Sequence, residues 1–220
     1  YLDEMEYAEE LGFDGVCLNE HHQSAYGMMP IPGVLAGALA RSLKRVKLAI
    51  LGRALPLLNN PLMVAEEYAM LDMMSGGRII AGFAPGGGPE TFNYNVPSAK
   101  SRDQFWESLD LIVRAWTEDG PFTHEGKNFP LRYVNPWPQP LQKPHPPVWV
   151  PGSRSPGTLI ECAKRGYCYF LSSRSHGDQT RQAAQAYAKT MAKYDRTYTP
   201  FDFGILLSVY VSETDEQAKI

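Results

Sequence analysis

Cysteine is scarce. The 220 residues hold three, Cys17, Cys162 and Cys168, an odd number with no C-x-x-C pair. That argues against a disulfide framework and against a cysteine-built zinc site. Cys17 and Cys168 fall in strand-like runs and Cys162 in a helix-like one, which predicts three buried thiols in a reducing, cytoplasmic setting. None has the helix-start or basic surroundings that activate a nucleophilic thiolate. Charge of one sign is lacking too. The net charge is −3 with both signs interspersed, so no basic block points to nucleic acid and no like-charge tail is present. No apolar run approaches the roughly 20 residues that cross a bilayer, so no membrane partner is expected. No targeting peptide is legible, although the first residue is Tyr1 rather than Met. The dinucleotide fingerprint is missing as well. Gly82-Phe-Ala-Pro-Gly-Gly87 has neither its spacing nor its later acidic residue.

What is present is a globular composition, 44% hydrophobic and 20% charged, of a length that suits one sizeable core. Residues 1–220 are expected to form a single domain. Leu2, Met5, Ala8 and Leu11 share a helical face that Gly12 ends. A strand follows at Val16–Leu18. Pro32 opens a helix with Leu35, Leu39 and Leu43 four apart, and Val46–Leu51 is the next strand. Asn60-Pro61 caps a helix carrying Val64, Tyr68, Leu71 and Met74, which Gly76-Gly77 terminates. Then come a strand at Arg78–Gly82, a loop at Pro85–Pro89, and a long helix with Phe105, Leu109, Ile112, Val113 and Trp116 on one face. Residues 118–147, rich in proline from Pro121 to Pro147, predict an irregular insertion. Alternation resumes with a strand at Val148–Val150, a helix from Ser155-Pro156 to Gly166, and a strand at Tyr167–Leu171. A helix from Asp178 to about Asp195, a strand at Phe203–Val211 and a helix from Thr214 complete the chain. Such alternation implies an α/β fold with a parallel sheet and helical crossovers. Six strands fit either an open doubly wound sheet or part of an eight-stranded barrel.

Two features carry chemistry. Glu20-His21-His22 lies just past the end of the first strand, where a (β/α) barrel places its reactive groups. An imidazole can exchange a proton near neutral pH, and Glu20 could bond a ring N–H and fix its tautomer. A purely structural histidine pair is the bland alternative. A metal site is disfavoured, because adjacent residues on extended backbone point apart and His124, His145 and His176 have no ligand spacing. The second feature is Gly152-Ser153-Arg154-Ser155, which follows a strand and opens a helix. Its hydroxyls, guanidinium and helix N-terminus make a plausible phosphate seat, with a helix cap and a solvated arginine as the alternative. Trp106, Trp116, Trp137 and Trp149 are expected to pack rather than to form a substrate box.

Five segments in register give the chain a family likeness over residues 7–219. They are Leu11 to His22, Leu71-Asp-Met-Met-Ser-Gly-Gly-Arg78, Ser108 to Trp116, Gln142-Lys-Pro-His-Pro-Pro-Val-Trp149 and Ala163-Lys-Arg-Gly166. In these it resembles the bacterial luciferase-like flavin monooxygenases. The resemblance implies a TIM (β/α)8 barrel, here represented by strands two to seven, with the 118–147 insertion before strand five. It implies reduced FMN and O2 as co-reactants, oxygenation of a small organic substrate through a C4a-peroxyflavin, a separate flavin reductase as partner, and a homodimer. Coenzyme F420 with hydride transfer on the same fold is one alternative. A non-catalytic partner subunit is another.

Carried over residue by residue, the likeness makes His21 the catalytic histidine and His22 its support. Leu51-Gly52 would form a cis peptide under the flavin ring. Gly152, Ser153, Arg154 and Ser155 would hold the phosphate. Gly86 would sit in a loop beside the cofactor, and Ser172, with Ser173, would touch the ring edge. Pro85 stands where many relatives carry a phosphate-binding arginine. Ala84 stands where the luminescent enzyme has a reactive cysteine, which favours a non-luminescent relative.

Overall fold

The structure, a computed structural model, describes residues 1–172 and 177–219. Ser173 and His176 lie outside the described residues. The chain forms two compact units, Tyr1–Val150 and Pro151–Ile220.

The first unit runs α1 (Leu2–Glu10), β1 (Gly15–Leu18), α2 (Pro32–Ser42), β2 (Lys47–Ala54), α3 (Pro61–Ser75), β3 (Ile79–Ala84), α4 (Gly88–Asn93), α5 (Ser98–Thr117), β4 (Phe122–Glu125) and β5 (Pro130–Val134). It ends in β6 (Val148–Gly152), which crosses into the second unit. β1, β2, β3 and β6 pair in that order, each parallel to the next. The C-terminal ends of the strands therefore share one edge, and the loops leaving that edge carry the candidate site.

The helix signals work as expected where they are chemical. The Asn60 side chain accepts the Leu62 N–H at 2.9 Å, Pro61 is the first helical residue, and Gly76 ends α3 at φ 68°. The core is Leu18, Leu39, Leu48, Ile50, Ile79 and Phe105 around a stack of Tyr68, Phe83 and Trp116. The Trp116 indole N–H donates to the Ala65 carbonyl at 2.9 Å, so this tryptophan is structural. Two segments of the family likeness also prove to be joints. Buried Asp72 accepts from the Gln142 N–H at 2.9 Å and from its side-chain amide at 2.7 Å. The Arg78 guanidinium donates to the carbonyls of Ala40, Leu43, Val46 and Ser75, tying the end of α2 to the start of β2.

Several expectations are corrected. α1 buries none of its residues, so its apolar spacing does not mark a core face here. Met74 is exposed, because the buried side of α3 turns through Leu71, Asp72 and Ser75. Cys17 is exposed rather than buried. Strand alternation points Val16 and Leu18 into the core and Cys17 to the opposite face. The stretch 118–147 is not wholly irregular, since β4 and β5 form an antiparallel pair within it. The Glu107 carboxylate gathers their connecting turn, accepting the N–H groups of Asn128 and Phe129 at 2.9 Å each. Burial works against that carboxyl's ionisation, but the Phe129 N–H and the two Asn128 donors hold it below its ordinary value.

The second unit continues from the end of β6 into α6 (Pro156–Arg165), β7 (Cys168–Leu171), α7 (Asp178–Ala192), β8 (Phe203–Ile205) and α8 (Asp215–Ala218). β7 and β8 are parallel, and Tyr169, Tyr187 and Phe203 stack at their core. The strand expected over Phe203–Val211 is three residues long. Its partner β7 ends at Leu171, opposite Ile205, so the apolar run beyond has nothing to pair with among the described residues. α7 also stops earlier than expected, at Ala192.

Two thiols in this core give stability a pH dependence. Burial raises the Cys162 thiol well above its ordinary value and pushes Cys168 up to about 12. In the unfolded chain both ionise near 8.5. Between those limits the folded state binds more protons, so stability is fully present below pH ~8.5 and declines as pH rises toward 12. The expected slope approaches about 1.4 kcal/mol per pH unit for each thiol. Urea midpoints at pH 8.0, 9.0 and 9.5 should fall in wild type, and the decline should flatten in Cys162→Ala/Cys168→Ala. Parallel declines in both proteins would refute the assignment.

Candidate active site

β1 ends at Leu18, and the next four residues fan out over the strand edge. Glu20 turns inward. Its side chain is 0% exposed, with one oxygen accepting from Arg53 Nη1 at 2.9 Å and the other from His22 Nε2 at 2.9 Å and the Ala54 N–H at 3.3 Å. Arg53 comes from the end of β2, and its second guanidinium nitrogen lies 3.4 Å from Glu67 on α3. Burial would lower the Arg53 pKa, but the Glu20 and then the Glu67 carboxylates hold it above its usual value. Burial raises the Glu67 carboxyl against the pull of Arg53, and lifts the Tyr68 phenol far above its usual value.

The two histidines have different fates. Both ring nitrogens of His22 are engaged, Nε2 with Glu20 and Nδ1 with the Tyr94 hydroxyl at 3.1 Å. His21 faces outward with its side chain 33% exposed. Its Nδ1 lies 2.7 Å from Glu90 Oε1, and the Tyr26 ring packs at 4.6 Å. Among the described residues its Nε2 has no hydrogen-bond partner. The carboxylate beside His21 is therefore Glu90, not the neighbouring Glu20. Glu90 Oε2 also accepts the Gly87 N–H at 3.0 Å, closing the turn that leads into α4.

Around this pair, the Leu51–Gly52 peptide at the end of β2 is cis, and the register of β2 against β3 shifts between Ile50 and Arg53. A Cβ on Gly52 would stand 3.1 Å from the Phe83 backbone, so β2 and β3 approach closely there. Gly86 sits at φ 80°, a conformation that glycine adopts freely. Among the described residues, no three His, Cys, Asp or Glu side chains gather as cation ligands.

The second unit builds its own turn. Gly152 ends β6 against the Tyr169 ring, where a Cβ would come 2.5 Å from the phenol oxygen. That hydroxyl accepts the Arg154 N–H at 2.9 Å and holds the residue at φ 67°. The Arg154 guanidinium donates to Gln179 on α7 at 2.8 Å. Ser153 is exposed, and Ser155 precedes α6 as its N-cap residue. The N–H and hydroxyl of Ser172 both reach the Gly152 carbonyl, at 3.1 and 3.3 Å. Sequence reasoning missed Glu90, Arg53, Glu67 and Tyr94. Of these, only Glu90 left a local trace: a glutamate three residues after Gly87 is the spacing of a capping box.

The chain belongs to the luciferase-like monooxygenase family, whose model matches residues 2–219. The 4-hydroxyprotoasukamycin monooxygenase of Streptomyces nodosus subsp. asukaensis is 27% identical over 223 residues, covering 99% of this chain and 60% of that protein. The oxygenase component of the flavin-dependent trigonelline monooxygenase of Acinetobacter baylyi is 25% identical over 225 residues, covering 99% and 61%. The crystal structure of monooxygenase RslO1 from Streptomyces bottropensis superposes with a TM-score of 0.90 at 28% identity, over 99% of this chain and 67% of that one. The chain thus spans about three fifths of the length of these curated relatives.

Proposed function

We propose that this chain carries the oxygenase activity of a flavin-dependent monooxygenase, acting on a small organic substrate with O2 and with reduced FMN delivered by a separate reductase. The observation that carries the reading is His21, with one ring nitrogen held by a carboxylate and the other unengaged at the strand edge. Membership of the family and the relative named as an oxygenase component support it.

The donor set in the second unit suits a phosphate. The Ser153 and Ser155 hydroxyls and the first N–H groups of α6 offer donors to a dianion, while the Tyr169 hydroxyl keeps the turn in shape. Arg154 would add its guanidinium, beside its bond to Gln179. By the family likeness, each unit taken by itself offers further candidate contacts, Leu51, Gly52 and Gly86 in the first and Ser172 in the second. Reduced FMN supplies the two electrons that activate O2. His21 Nε2 accepts or returns a proton, and His22 is held in place by Glu20 and Tyr94.

Anaerobic titration with reduced FMN tests the reading. Wild type is expected to bind, and Ser153→Ala/Ser155→Ala to weaken binding by about tenfold or more for each charge-assisted bond lost. Binding of F420 but not FMN would replace the reading with hydride transfer. Binding of neither would leave a non-catalytic subunit.

A further inference from the structure

We propose that Glu90 is a positioning residue: it fixes His21 as the Nδ1–H tautomer and locks the ring to the turn that enters α4. Its catalytic meaning rests on the flavin reading above, but the geometry is its own. An ionised carboxylate only accepts, so the nitrogen 2.7 Å from Glu90 Oε1 carries the hydrogen. The neutral ring then presents its lone pair at Nε2, the nitrogen with no partner among the described residues. The second Glu90 oxygen is spent on the Gly87 N–H. One carboxylate therefore bonds both the ring and the Pro85–Gly87 turn.

Among the described residues, the groups around His21 leave no rival for this task. Tyr26 from the loop after β1 meets the ring by its face, at 4.6 Å and tilted 60°. A Cβ on Gly27 would stand 3.0 Å from His21 Cδ2, so the same loop closes the ring edge with backbone. His22 is committed to Glu20 and Tyr94, and Glu20 to His22, Arg53 and Ala54. The Glu90 side chain is 14% exposed, which shields its bond to His21 from competing water.

The test is long-range 1H–15N correlation on the whole chain labelled with [15N]histidine, with His21 assigned by the signal that His21→Asn removes. In its neutral form the wild-type His21 ring is expected to carry its proton at Nδ1. Glu90→Gln has one oxygen where Glu90 uses two, so it cannot accept from both the Gly87 N–H and His21 Nδ1–H, and its NH2 turned to His21 would favour the Nε2–H tautomer. Glu90→Leu removes it and should move the proton to Nε2. In oxygen uptake with saturating reduced FMN, Glu90→Leu should lower kcat by about 10²-fold, the lower end of what positioned proton transfer contributes. A wild-type ring protonated at Nε2, or a tautomer indifferent to Glu90→Leu, overturns the proposal. Should Glu90→Leu not fold, the wild-type spectrum still decides it, since a neutral wild-type ring protonated at Nε2 contradicts it. Failure of every variant and of wild type to bind FMN would overturn the flavin reading instead, and would leave the tautomer result standing.

Discussion

Replacing His21 by alanine is expected to slow oxygen-consuming turnover with reduced FMN by about 10²–10⁴-fold, the usual contribution of a positioned proton-transfer group. The physical reason is the asymmetry of the ring. Nδ1 is committed to Glu90 and Nε2 is not, so the side chain can take a proton and give it back without breaking the bond that orients it. The ring is one third exposed, and among the described residues it meets Glu90, Tyr26 and the Gly27 loop at the surface of the unit. Reduced-FMN affinity and the urea midpoint should therefore stay close to wild type. Stopped-flow oxidation with protein in excess over flavin separates the bound from the free reaction. A His21→Ala protein that turns over at the wild-type rate would remove His21 from the chemistry and favour the non-catalytic reading. Loss of flavin binding in the same variant would make His21 a ligand rather than a proton carrier.

The fold was legible wherever a local rule determines it. Asn60-Pro61, Gly76 and Gly166 bound their helices as their backbone chemistry requires, and the parallel order follows from the alternation of elements. It was illegible wherever a distant partner decides. Phe203–Val211 alternates like a strand, yet among the described residues only Phe203–Ile205 pairs, opposite Tyr169–Leu171 of β7. The β4–β5 hairpin hides in a proline-rich stretch because what organises its turn is Glu107, on the preceding helix. The site divides in the same way. His21 and His22 are adjacent in sequence and could be named together. Their partners Glu90 and Tyr94 come from α4 and its C-terminal end, and Arg53, which holds Glu20, from β2; no spacing rule links a residue at 21 to one at 90. Glu20 was expected to bond a histidine ring, and it does so at His22, while its second oxygen takes Arg53.

The largest stability effect is expected at Glu20. Its carboxylate is fully buried and serves Arg53, His22 and the Ala54 N–H at once. Glu20→Ala would leave the Arg53 guanidinium buried with Glu67 alone, at 3.4 Å, and with an Nε that already lacks a partner among the described residues. Removing one member of a buried pair costs about 3–5 kcal/mol, because the surviving charge stays out of water uncompensated. Glu20→Gln keeps the shape and one acceptor, and should cost less. The double variant Glu20→Leu/Arg53→Met removes both charges, and should recover most of the loss if desolvation of Arg53 is its source. Urea midpoints on the four proteins distinguish these cases. A cost under about 1 kcal/mol for Glu20→Ala would place the pair in the range of solvated ion pairs and refute the buried assignment. Glu20 also anchors His22, so its loss should loosen the segment that presents His21. Glu20→Ala is then expected to lose activity as well as stability, whereas His21→Ala loses activity alone.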